Sequence, residues 1–209
     1  MNVLHAQIGQ PALDAERLAS LAVRDHRTLD KLIEGLSADE ARTKFGCAKA
    51  LRILSERRPD LLYPRFDLFV RLLDCKNKIL QWNAIFVLSN LTSVDAEDKF
   101  TAIFDKYFSP ICGPVMITAA NVIRGGSRIA RAKPNLADRI AREVLKVARA
   151  RYQTPECRNV AIGHAVLALA EFIDLIRDSA PVLRFVRKQL KNPRPATRRK
   201  AERFLKRGM

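Results

Sequence analysis

The 209-residue chain is 48% apolar and 29% charged, with Gly 8 and Pro 10. These proportions exclude a disordered, collagen-like or linker-like polymer and leave enough apolar surface to build a real core. Lys+Arg 38 against Asp+Glu 22 gives a net charge of +16, which points first to polyanions or acidic protein surfaces as partners. The excess is one-sided: residues 1–100 carry a net +1 and residues 101–209 a net +15.

The N-terminus, MNVLHAQIGQPALD, has no basic stretch followed by a long apolar one, so a signal peptide is not expected. The longest nearly apolar run, Val160 to Ala170, contains His164 and falls short of the roughly 20 residues that span a bilayer. Integral membrane association is therefore not expected. The four cysteines, Cys47, Cys75, Cys112 and Cys157, are far apart and form no C-x-x-C pair. That spacing argues against a zinc site and a disulfide framework. Each sits in or beside an apolar stretch and reads as a small core residue in a reducing, intracellular setting, the cytoplasm.

Apolar residues recur at three and four along the chain, with no convincing alternation, so the class is all-α. A short helix near 13–23 caps the N-terminal end. Helices then pair as 27–36 with 38–57, 64–74 with 77–92, 97–107 with 113–125, 136–151 with 156–176, and 181–191 with 195–207. Ser37 with Glu40 has the spacing of a capping box, and Asn135 with Asp138 is similar. Gly125 and Gly126 read as the C-cap of helix 113–125. Thr154-Pro155-Glu156 supplies an N-cap, a first-turn proline and a first-turn acid. Ile140, Val144 and Val147 form one apolar stripe, and Leu183, Val186 and Leu190 another. The second helix of each pair is the more apolar, and the unit recurs about every 36–40 residues, a helical-solenoid period.

A short helix, a tight turn and a longer helix with small residues at its crossing point resemble HEAT and armadillo repeats. LLDCKNKILQWNAIFVLSNL (72–91) carries the resemblance best, through its Asp74 turn and the Ala84, Leu88, Leu91 pattern. Phe86 to Asn90 is similar to the armadillo third-helix pattern, with Phe where that family favours Trp. The resemblance implies a right-handed superhelical solenoid of about five antiparallel helix pairs, HEAT-like more than armadillo-like. It would form one domain over 1–209, with repeats near 27–62, 63–96, 97–134, 135–178 and 179–209 after a cap at 1–26.

The strongest functional signal is basic. From Leu183 to Met209 there are 11 Lys/Arg and one acid, Glu202. Arg184, Arg187, Lys188 and Lys191 fall on one helix face; Arg194, Arg198, Arg199, Lys200 and Arg203 follow, with Lys206 and Arg207, while Ala201, Phe204 and Leu205 face inward. Rows of cations on a rigid helix suit the repeating phosphates of nucleic acid. A second stripe, Arg139, Arg142, Lys146 and Arg149, runs along helix 136–151, after Arg124, Arg128, Arg131 and Lys133.

Asn83, Asn121 and Asn159 are spaced 38 and 38 on successive second helices. In armadillo-like arrays such asparagines form a ladder that bonds an extended peptide, because an amide offers both donor and acceptor. Trp82 lies beside the first of them, as a groove aromatic or a packing residue. His164 reads as a core histidine, and His5 and His26 have no metal-ligand spacing. No phosphate-binding glycine motif, metal site, cofactor or small-molecule substrate is expected.

The leading expectation is a non-enzymatic scaffold whose basic C-terminal half binds nucleic acid. The alternative is an adaptor that holds an extended or acidic peptide in a groove lined by the asparagines. The third is an enzyme: bacterial alkylpurine DNA glycosylases are built from similar HEAT-like repeats and are also basic. That family uses aromatic residues and a carboxylate on its concave face, and no Asp here matches its motif, so no catalytic residue is carried over.

Overall fold

The computed structural model describes residues 14–207. The MNVLHAQIGQPAL segment, His5, and the first residues of the helix and cap expected before residue 26 lie outside them. The described residues form helices and no strand. The chain divides into two compact units, Met1–Glu97 and Asp98–Met209.

In the first unit, α1 (Ala15–Arg24) follows Asp14, which accepts from the Arg17 N–H at 3.1 Å. The second helix, α2 (His26–Glu34), follows Asp25, whose carboxylate accepts from the N–H groups of Arg27 and Thr28. Each cap satisfies backbone donors that the helix itself leaves unpaired. Then come α3 (Ala41–Arg57), α4 (Pro59–Leu62), α5 (Phe66–Leu72) and α6 (Lys78–Leu91). Asn77 starts α6 by accepting from Ile79 and Leu80. The core gathers Leu18, Leu32, Leu51, Leu54, Leu62, Phe66, Leu88 and Leu91. Two polar bonds tie distant segments: Asn90 to Ser55 at 2.8 Å and the Tyr63 hydroxyl to buried Asp95 at 2.6 Å.

The second unit holds α7 (Lys99–Phe108), α8 (Met116–Ala132), α9 (Ala137–Leu145), α10 (Pro155–Phe172), α11 (Ala180–Lys188) and α12 (Pro195–Arg207). The longer helices pack in sequence, α8 on α10 and α10 on α12, while α9 lies against α8, α10 and α11. Phe100, Phe104, Tyr107 and Phe108 fill the space between α7 and its neighbours, with ring centroids 4.6 to 6.3 Å apart. The Ile140, Val144, Val147 stripe is buried as expected. Thr154 caps α10 by accepting from the Cys157 N–H at 3.1 Å, ahead of Pro155.

Three local expectations are corrected. Gly125 and Gly126 do not end a helix; α8 runs through them to Ala132, and both are buried. A Cβ on Gly126 would stand 3.2 Å from the Phe108 ring and 3.3 Å from Ile140 Cγ2. The glycine is there for a close helix crossing, so packing overrides its low helix propensity. Neither capping box forms. Ser37 closes the 3-10 turn Gly35–Ser37, and Glu40 accepts from the Thr43 hydroxyl at the start of α3. Asn135 lies inside the 3-10 turn Pro134–Leu136, and Asp138 instead accepts the backbone N–H of Arg177 at 3.0 Å. The cysteines are free, but only Cys47 is buried, where desolvation pushes its thiol up to about 11; Cys112 is exposed.

Filling the Gly126 crossing tests this packing. Gly126→Val should cost about 1–3 kcal/mol by overpacking, measured by chemical denaturation. An unchanged stability would mean that α7 and α9 are not held against α8 there.

Candidate functional site

The cations of α11 emerge where the sequence puts them. Asp178 accepts from the Ala180 N–H at 3.1 Å at the helix start, and Val182 and Val186 point into the core. Arg184, Arg187, Lys188 and Lys191 are all exposed. The expected stripe of Leu183, Val186 and Leu190 is not kept. The chain tightens into a 3-10 turn over Gln189–Lys191, and three residues per turn carry Gln189 inward in place of Leu190, which is 39% exposed. The buried Gln189 amide is satisfied: it donates to the Phe185 carbonyl at 3.1 Å and accepts from Asn192 at 2.9 Å.

On α12 and at Arg194 just before it, the cations divide into two kinds. Arg194 pairs with Glu156. Arg198 donates to the carbonyls of Asn192 at 2.8 Å and Pro193 at 3.1 Å, closing the turn before its own helix. These two side chains are built into the fold. Arg199, Arg203 and Lys206 are exposed, and Lys200 is half-buried. Ala201 and Phe204 are buried and Leu205 half-buried, so the inward side is as expected.

The second stripe divides in the same way, and the helix expected over 136–151 ends at Leu145, so that Lys146 and Arg149 lie in the 3-10 turn Lys146–Arg149. Arg139 pairs with Asp105 at 2.7 Å and lies 3.8 Å above the Phe104 ring centroid. Lys146 pairs with Glu143 at 2.6 Å. Arg142 and Arg149 are exposed. Arg142 also lines a 310 Å³ cavity with Asp138, Arg177, Pro181 and Val182, which brings this stripe beside the start of α11. Asp98, Asp138 and Asp174 pair with Lys133, Arg177 and Arg131. Carboxylates in the second unit are thus largely engaged with cations inside the fold, whereas the exposed rows of α11 and α12 face solvent.

The asparagines and Trp82 are placed on second helices, Trp82 and Asn83 on α6, Asn121 on α8 and Asn159 on α10, all half-buried. Asn83 donates its amide to the Ile79 carbonyl of its own helix at 2.8 Å. Asn159 accepts from the Asn192 amide at 3.2 Å, and its backbone carbonyl accepts from the Thr197 hydroxyl at 2.9 Å. Part of the bonding capacity that a peptide ladder needs is already used.

The expectation for His164 is corrected. His164 is not a core histidine: it is half-buried on the solvent-facing stripe of α10, in phase with Val160, with Leu167, which is 44% exposed, and with Glu171. Burial, then the Lys200 and Arg124 charges, hold its imidazole below the ordinary histidine range. Lys200 is itself lowered, by burial and then by Arg194. The available signal was this four-three-four spacing, but an apolar helix gives no clue to which of its sides meets solvent.

Two measurements follow from these placements. Arg198→Ala should lose about 1–2 kcal/mol of stability through its two carbonyl bonds, while Arg199→Ala should stay near wild type; equal effects would contradict the division. A histidine lowered on folding leaves the unfolded state binding more protons, so its stabilising contribution is full above about pH 6.5 and is lost as pH falls. His164→Gln should therefore flatten part of the Tm decline between about pH 7 and 5. Parallel Tm profiles for the two proteins would count against this placement of the ring.

No protein-family model and no curated protein matches the sequence. The crystal structure of an engineered protein from the Northeast Structural Genomics Consortium is similar over 99% of this chain and 96% of that one, with a TM-score of 0.52 at 15% identity. Identity this low bears on the fold alone, and the all-helical class agrees with it.

Proposed function

We propose that this is a non-enzymatic binding protein whose second unit engages nucleic acid through its phosphates. The observation that carries the reading is the charge of that unit: its carboxylates are largely paired within the fold, while Arg184, Arg187, Lys188, Lys191, Arg199 and Arg203 stand exposed on two consecutive helices. Solubilising surfaces usually mix signs, whereas these rows carry a single exposed acid, Glu202, among their cations. Cations on helices fixed by packing neutralise several phosphates without ordering a loop first. Such contacts position a backbone and read little sequence.

The reading includes a HEAT-like solenoid of helix pairs, supported by the consecutive packing of α8, α10 and α12. It also places the protein in the cytoplasm, which suits four free thiols. The peptide-adaptor alternative draws less support, since Asn83 and Asn159 already bond within the protein.

Fluorescence anisotropy with a mixed-sequence DNA duplex and a single strand, over a salt series, tests the proposal. Binding should weaken steeply with salt, with a slope of about −0.9 per cation engaged on the duplex. Charge reversal at Arg199 and Arg203 should reduce the slope magnitude by about one per lost phosphate contact. Absence of binding at low salt to either probe would overturn the reading and favour an acidic protein partner.

A further inference from the structure

The turn that leads into α10 carries a further cavity of 250 Å³, lined by Ala150, Arg151, Tyr152, Thr154, Pro155 and Arg158. Tyr152 is half-buried, and its hydroxyl donates to the Ile111 carbonyl at 2.7 Å. That bond ties the turn to the 3-10 segment Ser109–Cys112 and holds the ring in place. Buried Ala150 and the Pro155 ring add apolar surface. The Thr154 hydroxyl is already used, accepting from the Cys157 N–H at 3.1 Å. Arg151 and Arg158 are exposed, and neither guanidinium has an ion pair or hydrogen bond among the described residues. The one acid between Ala150 and Arg158, Glu156, pairs with Arg194. The cavity thus joins one aromatic ring to two uncompensated positive charges. It also continues the second basic stripe, since exposed Arg149 is the residue before Ala150. The Glu156–Arg194 pair brings the start of α12 to the same end of α10.

A phosphate alone would use the arginines and leave the tyrosine and proline rings wet. A cationic ligand would be repelled by both guanidiniums. A ligand that uses every wall has a flat π-face with an anion beside it, which is the chemistry of a nucleotide. In a duplex the base faces are covered by their neighbours, whereas an unpaired base can be splayed out and stacked on an aromatic side chain. We propose that this cavity takes one unpaired nucleotide of a bound strand, its base against the Tyr152 ring and its phosphates on Arg151 and Arg158. The site rests on the nucleic-acid reading above and adds a preference to it, for single strand over duplex. Stacking tolerates any base because each has a π-face, so the site distinguishes the form of the strand and not its sequence. A duplex carries the denser charge, so cations alone favour it. A preference for the single strand therefore measures what the ring adds. The hydroxyl bond to Ile111 fixes the ring before binding, which leaves less side-chain ordering for the complex.

The test compares a mixed-sequence DNA single strand with a duplex of the same length by anisotropy, for wild type, Tyr152→Phe, Tyr152→Leu and Arg158→Gln, with folding checked by Tm. Wild type should bind the single strand more tightly. Tyr152→Leu should weaken single-strand binding about fivefold or more and change duplex binding by less than about twofold. Tyr152→Phe loses the Ile111 bond but keeps the ring, so it should keep the strand preference even where its Tm falls. A tyrosine acting only through its hydroxyl would make the Phe variant as weak as the Leu variant. Arg158→Gln should weaken single-strand binding and reduce its salt slope by about 0.7 for the lost contact. A strand carrying 5-iodouracil, irradiated in the complex and digested with trypsin, should crosslink to peptide 152–158, whose one aromatic residue is Tyr152. Equal single-strand affinity of Tyr152→Leu and wild type, a wild-type preference for the duplex, or crosslinks confined to other peptides would each overturn the site and leave the nucleic-acid reading standing. A free deoxynucleoside monophosphate that competes as well as the strand would overturn the assignment to a strand. No binding of either DNA at low salt would overturn both the site and the reading.

Discussion

Helix α12 lies so close to α10 that Thr197 and Lys200 occupy the space a methyl group would need at Gly163. That approach is the constraint on which the second unit depends. It lets the Thr197 hydroxyl reach the Asn159 carbonyl and sets the turn in which Asn192, Gln189 and Arg198 satisfy one another's polar groups. Gly126 does the same for α8, where the Phe108 ring and Ile140 fill the gap left by a missing side chain. Glycine weakens a helix locally by roughly 1 kcal/mol relative to alanine, and here that loss is offset by contact between helix backbones and neighbouring side chains.

The electrostatics follow from the same packing. Most carboxylates of the second unit pair with cations at the protein surface, such as Asp105 with Arg139 and Glu156 with Arg194. Arginines with an apolar surface beneath them are kept as structure, as Arg139 over Phe104 illustrates. The cations on the outward phase of α11 and α12 have no such role. A unit with this imbalance repels itself, and it is most comfortable with a counter-charge on its surface.

Much of this was readable in the chain. The helix pairs, the Thr154-Pro155 start of α10 and the buried Ile140, Val144, Val147 stripe follow from local spacing and capping chemistry. Exposure of Arg184, Arg187, Lys188 and Lys191 follows from the same phase. What failed depended on neighbours. Gly125-Gly126 carries a local stop signal that a helix crossing overrules. Leu190 loses its inward place to Gln189 because a 3-10 turn changes the angle per residue. Arg198 looks like any exposed cation until the carbonyls of Asn192 and Pro193 are placed beside it. His164 sits in an apolar run, and only the packing of α8 and α12 on the other sides of α10 leaves its own side half-open.

Lysine acetylation footprinting of the full chain, read by mass spectrometry with and without a DNA duplex, tests the central claim most directly. Lys188, Lys191, Lys200 and Lys206 of the second unit should lose reactivity when DNA is bound. Lys49 and Lys76, exposed on the first unit, should react as before. Protection confined to Lys49 and Lys76, or none at saturating DNA, would contradict the assignment of the phosphate-binding surface to the second unit.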